Sequence, residues 1–138
     1  MATVLFVCRA NRGRSVMSQA LFERAAGGRH RAISAGSEAV ADGGPHPEVV
    51  EALREMGVDV ASQRPRRLTT ELAAQADAVI TMGCGDGCPV IPGKRQLRAD
   101  WDLPDPEDRP FEEVRATRDE IDRRVRALVR DLDRAAAE

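Results

Sequence analysis

The run Thr3-Val4-Leu5-Phe6-Val7, followed at once by Cys8-Arg9-Ala10-Asn11-Arg12-Gly13-Arg14-Ser15, decides the fold of this chain. A short continuous run of β-branched, aliphatic and aromatic residues is typical of a strand that is buried on both faces. The residues from Cys8 to Gly13 break that pattern. Ser15 to Ala26 then carry apolar residues at helical spacing, and Gly27-Gly28 ends the helix. The stretch therefore predicts a strand, a loop and a helix in succession.

The rest of the chain repeats this alternation of strand and helix. Further strands are predicted over His30 to Gly36, Ala78 to Met82 and Arg95 to Trp101, and further helices follow the turn at Asp42 to Pro45, cover Glu71 to Ala76 and start again at Phe111. Such alternation favours a parallel sheet with helices on both faces. We expect one domain over residues 1–138, an α/β three-layer sandwich around a four-stranded parallel sheet.

Composition narrows the possible functions. The chain has 138 residues, 42% hydrophobic and 32% charged, and a formal net charge of −2. Binding to a phosphate backbone needs many basic side chains, so nucleic acid is not an expected partner. No apolar run approaches the roughly 20 residues that span a bilayer, and the N-terminal residues lack the pattern of a signal peptide. We expect a cytoplasmic monomer that does not bind membranes.

The loop after the first strand has the features of an oxyanion site. A loop between a strand and a helix N-terminus can turn several backbone N–H groups inward, and the helix dipole adds positive potential. We expect the residues of this loop to bind a tetrahedral anion, with the guanidinium of Arg14 matching two of its oxygens. The binding residues are Arg9, Ala10, Asn11, Arg12, Gly13 and Arg14.

The same loop makes Cys8 a candidate nucleophile. Positive potential favours its thiolate, and Ser15 can donate a hydrogen bond to the sulfur. Asn11 tolerates left-handed backbone angles and Gly13 any angle, which suits a tightly curled loop. The alternative is that Cys8 is a small buried hydrophobe and Arg14 a solvated helix residue. The strand before, the helix after and the Ser and Asn within the motif favour the functional interpretation.

Two further cysteines, Cys84 and Cys88, follow the third predicted strand in Met82-Gly83-Cys84-Gly85-Asp86-Gly87-Cys88-Pro89. Three cysteines are too few and too odd in number for a secreted disulfide scaffold. The three glycines predict a flexible segment, as a thiol relay requires. Alternatives are passive thiols or a zinc site completed by His30 and His46, whose spacing matches no recognised zinc motif.

On the Cys8 to Ser15 motif, the chain resembles the low-molecular-weight protein tyrosine phosphatase family, which includes arsenate reductases built on the same fold. The resemblance covers essentially the whole chain and implies a phosphatase or a reductase.

The cysteine pair is similar to that of the reductases, although the pair in those proteins has a longer spacing. A gap of three residues would need a tight turn or local unwinding to close a disulfide. The chain has no Tyr, and Asp105-Pro106 is followed by Glu107-Asp108 rather than by aromatic residues. Both features favour a reductase.

The resemblance also implies roles for individual residues. Asp105 would be the general acid, with Asp102 and Asp100 as rivals. Cys8 would attack arsenate, Cys84 and Cys88 would pass the oxidising equivalents outward as disulfides, and a thioredoxin-like protein would reduce the final disulfide. No bound cofactor or metal is expected, and phosphate or sulfate would compete with arsenate.

Three alternatives stay open at this point. One is a phosphatase that forms a Cys8-phosphate intermediate, and another is a non-catalytic oxyanion or redox sensor. The third is a reductase that uses a low-molecular-weight thiol with a glutaredoxin-like partner, for which the cysteine pair would be dispensable.

Some thioredoxin-linked reductases of this fold carry a potassium site beside the catalytic loop, formed by a carboxylate on the first helix and an Asp after the second. The matching positions here are Gln19 and the stretch Arg64 to Arg66. Because the acids are lost at both positions and arginines stand at the second, a monovalent cation would be repelled. The sequence predicts no potassium dependence.

Overall fold

The computed structural model describes residues 1–40, 42–83 and 96–137. Within these ranges the strands are β1 (Thr3–Cys8), β2 (Arg31–Gly36), β3 (Ala78–Thr81) and β4 (Leu97–Asp100). The helices are α1 (Arg14–Ala26), α2 (Pro47–Arg54), α3 (Thr70–Gln75) and α4 (Phe111–Ala136). Each of these elements was predicted from the sequence to within a few residues.

The four strands form one parallel sheet in the order β2-β1-β3-β4. Leu5 of β1 is in register with Ile33 of β2 on one side and with Val79 of β3 on the other. The expected α/β fold with a four-stranded parallel sheet is confirmed. Because all the strands run the same way, their carboxyl ends lie at one edge, where ligands of such sheets bind.

The side chains of β1 alternate between two cores. Val4 and Phe6 face the larger core, which contains residues of α1, α2 and α4. Leu5 and Val7 face a smaller core that is covered by α3. Both sets are fully buried, as the continuous apolar run predicted. At the outer edge of the sheet, all four residues of β4 are exposed.

Local signals in the sequence set the helix ends. Gly27 ends α1 in the left-handed conformation at φ 56°, which costs glycine little. The Thr69 side chain accepts a hydrogen bond from the Leu72 N–H and caps α3. The helices of the described ranges are all too polar or too short to cross a bilayer.

A cluster of charges joins the end of α2 to α4. Glu55, just after α2, accepts hydrogen bonds from Arg115 and from Arg118 of α4, the latter at 2.6 Å. Arg118 also donates to the carbonyl of Ala52 at 2.8 Å. The hydrogen bonds from Arg115 and then from Arg118 lower the pKa of Glu55 from its ordinary 4.5 to about 2. The folded state therefore favours ionised Glu55 more than the unfolded chain does.

The first prediction concerns Glu55→Gln. The contribution of Glu55 to stability is present above its unfolded pKa near 4.5 and is lost as the pH falls through about 2. The substitution is expected to lower the free energy of unfolding at pH 7 and to reduce the loss of stability between pH 7 and pH 3. Urea denaturation at both pH values measures this.

Glu51→Gln is the matched control, because the ion pair of Glu51 with Arg54 at 3.7 Å lies within its own helix. If the two variants had the same pH dependence, the Glu55 cluster would not link α2 to α4.

Candidate active site

The predicted functional residues that the structure describes lie near the point where the strand order of the sheet reverses. The chain passes from β1 to β2 on one side, while β3 lies on the other side of β1, so the gap between β1 and β3 is the switch point at which α/β sheets bind ligands. Cys8 is the last residue of β1, and Gly83 lies just beyond the end of β3. The loop from Cys8 to Gly13 leads from this edge into α1.

Cys8 lies at the base of the loop and is 2% exposed. Its Sγ is 2.9 Å from the Oγ of Ser15, in the first turn of α1. Asn11 Nδ2 donates to the same Oγ at 2.8 Å, which leaves the Ser15 hydroxyl hydrogen free to point at the sulfur. The expected hydrogen bond between Ser15 and Cys8 is therefore present, and Asn11 orients it.

The backbone of the loop is tightly curled. Asn11 has φ 57°, the left-handed conformation that the sequence led us to expect at this position. A side chain at Gly13 would place its Cβ 2.6 Å from Pro106 Cγ, so glycine is needed where the loop meets the segment after β4. The Asn11 Oδ1 also accepts a hydrogen bond from the Arg66 N–H at 2.9 Å, which ties the loop to the stretch before α3.

The loop amides are available to an anion. Within the described part of the chain, the backbone N–H groups from Arg9 to Ser15 have no hydrogen-bond acceptor. Buried amides in proteins are almost always paired, so these groups are suited to bind an anion. The side chains of Arg9 and Arg12 are engaged elsewhere, with Glu38 at 3.2 Å and with the carbonyl of Asp42. These two residues, like the exposed Ala10, thus offer the loop their backbone rather than their side chains.

Arg14 is the arginine of the motif that is held inside the site, with a side chain only 8% exposed. Its Nη1 donates to the carbonyl of Leu103 at 3.3 Å, and its Nη2 lies 3.6 Å from Asp105 Oδ2. Gly83, at φ 74°, lies so close that a Cβ there would be 2.5 Å from Arg14 Nη1. Packing and charge therefore fix the guanidinium beside the loop.

Asp105 is the carboxylate that the structure brings to the loop. Its Oδ1 accepts a hydrogen bond from the Glu107 N–H at 3.0 Å, which forms a turn around Pro106. The two rivals lie differently, because Asp100 accepts a hydrogen bond from Thr81 at 2.6 Å and Asp102 lines a groove against α4. The position of Asp105 fits a proton donor to an anion in the loop.

The candidate thiols Cys84 and Cys88 lie outside the described residues. The described chain reaches Gly83, which contacts Arg14 and is bonded directly to Cys84. His30, considered as a zinc ligand with these cysteines, is buried and structural. Its Nδ1 accepts from the Ala2 N–H at 3.1 Å, and its Nε2 lies 2.8 Å from Asp133 Oδ1.

A polar cavity of about 440 Å³ lies behind the loop. Its lining consists of Asn11, Gln19, Ser34, Gln63, Arg64, Pro65 and Arg66. Gln19 is held there by a hydrogen bond from Ser34 at 2.6 Å. Within the described part of the chain this lining includes two arginines and no carboxylate, so it does not fit a potassium ion.

Three contributors to the site were missed by the sequence analysis. Gly36, at the end of β2, faces the loop so closely that a Cβ would be 2.5 Å from the carbonyl of Arg9. Pro106 packs on Gly13, and the backbone N–H of His46 donates to the carbonyl of Arg12 at 3.0 Å. Of the three, only Gly36 could have been noticed from the sequence, as a glycine at the end of a predicted strand. The contacts of Pro106 and His46 join distant parts of the sequence and leave no local pattern.

The fold and the site together define an α/β protein with a cysteine-centred oxyanion loop at the switch point of its sheet. Residues 3–138 match the model of the low molecular weight phosphotyrosine protein phosphatase family, and the chain belongs to that family. The predicted family resemblance is thus confirmed.

Known proteins within this family include reductases and phosphatases. A putative arsenate reductase of Halobacterium salinarum is 38% identical over 126 residues, which cover 87% of this chain and 85% of the relative. A thioredoxin-dependent arsenate reductase of Corynebacterium glutamicum matches with a TM-score of 0.80 at 38% identity over 98% of this chain. This chain spans 63% of the length of that enzyme. An arginine phosphatase of Geobacillus stearothermophilus has a TM-score of 0.82 at 27% identity, with 98% of this chain and 95% of the phosphatase covered.

The second prediction concerns Gly83→Ala. An alanine at φ 74° is strained by about 1–2 kcal/mol. Its Cβ would also displace the guanidinium of Arg14. We expect phosphate affinity to fall about tenfold, since a charge-assisted hydrogen bond contributes roughly 1.5–3 kcal/mol and tenfold is about 1.4 kcal/mol. Calorimetric titration with phosphate measures the loss.

Gly57→Ala separates the two effects. Gly57 has φ 78° but nothing within 4 Å of a Cβ, so it reports the backbone strain alone. Equal phosphate affinity in the two variants would mean that Gly83 does not position Arg14.

The third prediction concerns potassium. A ligand that binds the folded state raises the melting temperature, so a potassium site would make Tm depend on the cation present. We expect the same Tm in sodium and in potassium chloride at equal ionic strength, because of the arginines in the cavity. Differential scanning calorimetry in the two salts is the measurement, and a higher Tm in potassium alone would contradict the charge argument.

Proposed function

We propose that this chain is a thiol-dependent arsenate reductase that works through a relay of three cysteines. The observation that carries the proposal is the position of Cys8, which is buried at the base of a loop whose amides have no acceptor among the described residues. Arg14 begins the helix after this loop, and its guanidinium adjoins Gly83, the residue that precedes Cys84. The arsenate reductases among the relatives and the thioredoxin dependence of the C. glutamicum enzyme support it.

The first step is nucleophilic attack on arsenic. Arsenate binds to the amides of Arg9 to Ser15 and to the Arg14 guanidinium. The Cys8 thiolate forms a bond to As(V), and Asp105 donates a proton to the departing hydroxyl, which leaves as water. The hydrogen bond from Ser15 stabilises the thiolate before the attack.

The relay then reduces arsenic. The Cys84 thiolate attacks Cys8 Sγ, the electron pair of the S–As bond passes to arsenic, and arsenite leaves as the Cys8–Cys84 disulfide forms. The Cys88 thiolate attacks Cys84 Sγ, which releases the Cys8 thiolate and gives the Cys84–Cys88 disulfide. An external thioredoxin-like dithiol reduces that disulfide. The contact of Gly83 with Arg14 supports this route, because the relay segment starts beside the loop.

The remaining features follow from this chemistry. Residues 1–138 act as one domain, with no bound cofactor, and phosphate or sulfate competes for the oxyanion loop. The enzyme acts in the cytoplasm, because a reducing compartment keeps its thiols reduced. It acts as a monomer. Nucleic acids and membranes take no part.

A phosphatase is the second candidate function. The family name and the similar arginine phosphatase favour it, and the same Cys8, Arg14 and Asp105 could form and hydrolyse a Cys8-phosphate. Trp101 gives an aryl phosphatase no specific support. Its partly buried ring packs against the larger core, 5.9 Å from the ring of Phe6, and the Arg124 guanidinium of α4 lies 5.8 Å from its centre.

The fourth prediction tests the relay with single cysteine variants. Cys8→Ser is expected to abolish arsenate turnover. Cys84→Ser should retain the arsenic adduct on Cys8 and release no arsenite. Cys88→Ser should release arsenite once and stop as the Cys8–Cys84 disulfide. Arsenite release measured with thioredoxin and its reductase, together with mass spectrometry of the trapped protein, distinguishes these states.

Two results would contradict the proposal. Sustained thioredoxin-dependent turnover by Cys88→Ser would rule out the three-cysteine relay. Phosphoester hydrolysis by the wild-type chain that Cys84→Ser leaves unchanged, with no arsenate reduction by either protein, would identify a phosphatase.

A further inference from the structure

Three possible metal ligands lie together at the mouth of the site. His46, Asp105 and Glu107 each offer one ligand atom, and within the described residues these atoms all lie within 4.8 Å of one another. Only His46 is shared with the zinc site that the cysteine pair could form, and the other two ligands here are carboxylates. His46 comes from the turn before α2, whereas the two acids come from the loop before α4, and the sequence gives no sign of their proximity.

The backbone holds the three residues in place. The N–H of His46 donates to the carbonyl of Arg12 at 3.0 Å, and its own carbonyl accepts from Val49 at 2.9 Å, so the residue is fixed against both the loop and α2. Asp105 and Glu107 are joined by the hydrogen bond at 3.0 Å described above. The loss of backbone entropy when a ligand binds is therefore small.

The side chains are available as ligands. In the described part of the chain, neither the His46 ring nor the Glu107 carboxylate makes a hydrogen bond or an ion pair. Asp105 is 49% exposed, and its pairing with Arg14 is long at 3.6 Å. Two carboxylates and an imidazole thus lie around one small volume, and among the described residues Asp105 is the one of the three whose side chain has partners, Arg14 and the Glu107 N–H.

We propose that His46, Asp105 and Glu107 form a zinc site. Imidazole nitrogen and carboxylate oxygen are ordinary zinc ligands, and three protein ligands with one open position is a common arrangement. Zinc bonds of about 2.0–2.2 Å bring tetrahedral ligand atoms to within roughly 3.5 Å of each other. Rotation of the two exposed carboxylates can close the difference from 4.8 Å.

Charge limits the affinity of this site. The Arg14 guanidinium near Asp105 repels a divalent cation. The negative charge of the two carboxylates offsets part of this repulsion. Binding is therefore reversible, and zinc exchanges with the medium instead of being a permanent part of the protein.

Occupation of the site would affect the chemistry of the loop. A zinc-bound Asp105 carboxylate is deprotonated and cannot donate a proton. Zinc would then inhibit the enzyme by removing its general acid. This consequence rests on the proposed function, but the existence of the site does not.

The fifth prediction is made for a cysteine-free chain, so that thiols do not bind the metal. In Cys8→Ser/Cys84→Ser/Cys88→Ser, calorimetric titration with zinc chloride in a neutral buffer that does not chelate metals is expected to show one site per chain. His46→Ala or Glu107→Gln in this background should weaken the affinity at least tenfold. Glu113→Gln is the matched control, since Glu113 pairs with Arg109 at 3.7 Å and is not part of the cluster.

A second preparation guards against misfolding of the triple variant. The wild-type chain, with its thiols capped as methyl disulfides, is titrated with zinc in the same way and compared with capped Glu107→Gln. The site is disproved if neither preparation binds one zinc, or if His46→Ala and Glu107→Gln bind as tightly as their parents. Because the titration needs no turnover, a chain that bound zinc but failed to reduce arsenate would refute the proposed function alone.

Discussion

The hydrogen bonds of Asn11 are the interaction on which the site depends. Its amide donates to Ser15 and its carbonyl oxygen accepts from the backbone of Arg66, so one buried side chain bonds to α1 and to the segment before α3. This pairing holds the loop in its left-handed turn and orients the hydroxyl toward Cys8. Without it, the strained backbone of residue 11 would be free to relax, and the loop amides would no longer face one point.

Close approach between loops positions the charged groups. Arg14 is confined between Gly83, the carbonyl of Leu103 and Asp105, and Pro106 packs against Gly13. The oxyanion loop from Cys8 to Gly13 and the segment after β4 that carries Asp105 are therefore in contact. A shift in one of them displaces the other. Such preorganisation is what electrostatic stabilisation of a reacting oxyanion requires.

The sequence predicted the elements and the catalytic loop because both have local signals. The buried run Thr3 to Val7, the glycines after α1 and Thr69 before α3 fix their structures through short-range effects. The order of the strands, the contact of His46 with Arg12 and the position of Gly36 against Arg9 could not be predicted, since each depends on packing between distant segments. Asp105 was preferred over its rivals from the resemblance alone; the structure shows that Asp105 pairs with Arg14, and its role as the acid stays a prediction.

The two faces of the sheet are covered unequally, with three helices over one core and the six-residue α3 over the other. The segment that leads into α3 also carries Arg66 and the bridge to Gly36, both of which border the catalytic loop. A layer with few buried apolar contacts opens locally at a lower cost in free energy than a layer with many. Detachment of α3 would therefore disturb the Asn11 hydrogen bond to Arg66 while the larger core stays folded, which makes the order of the loop depend on a short helix on the opposite face of the sheet.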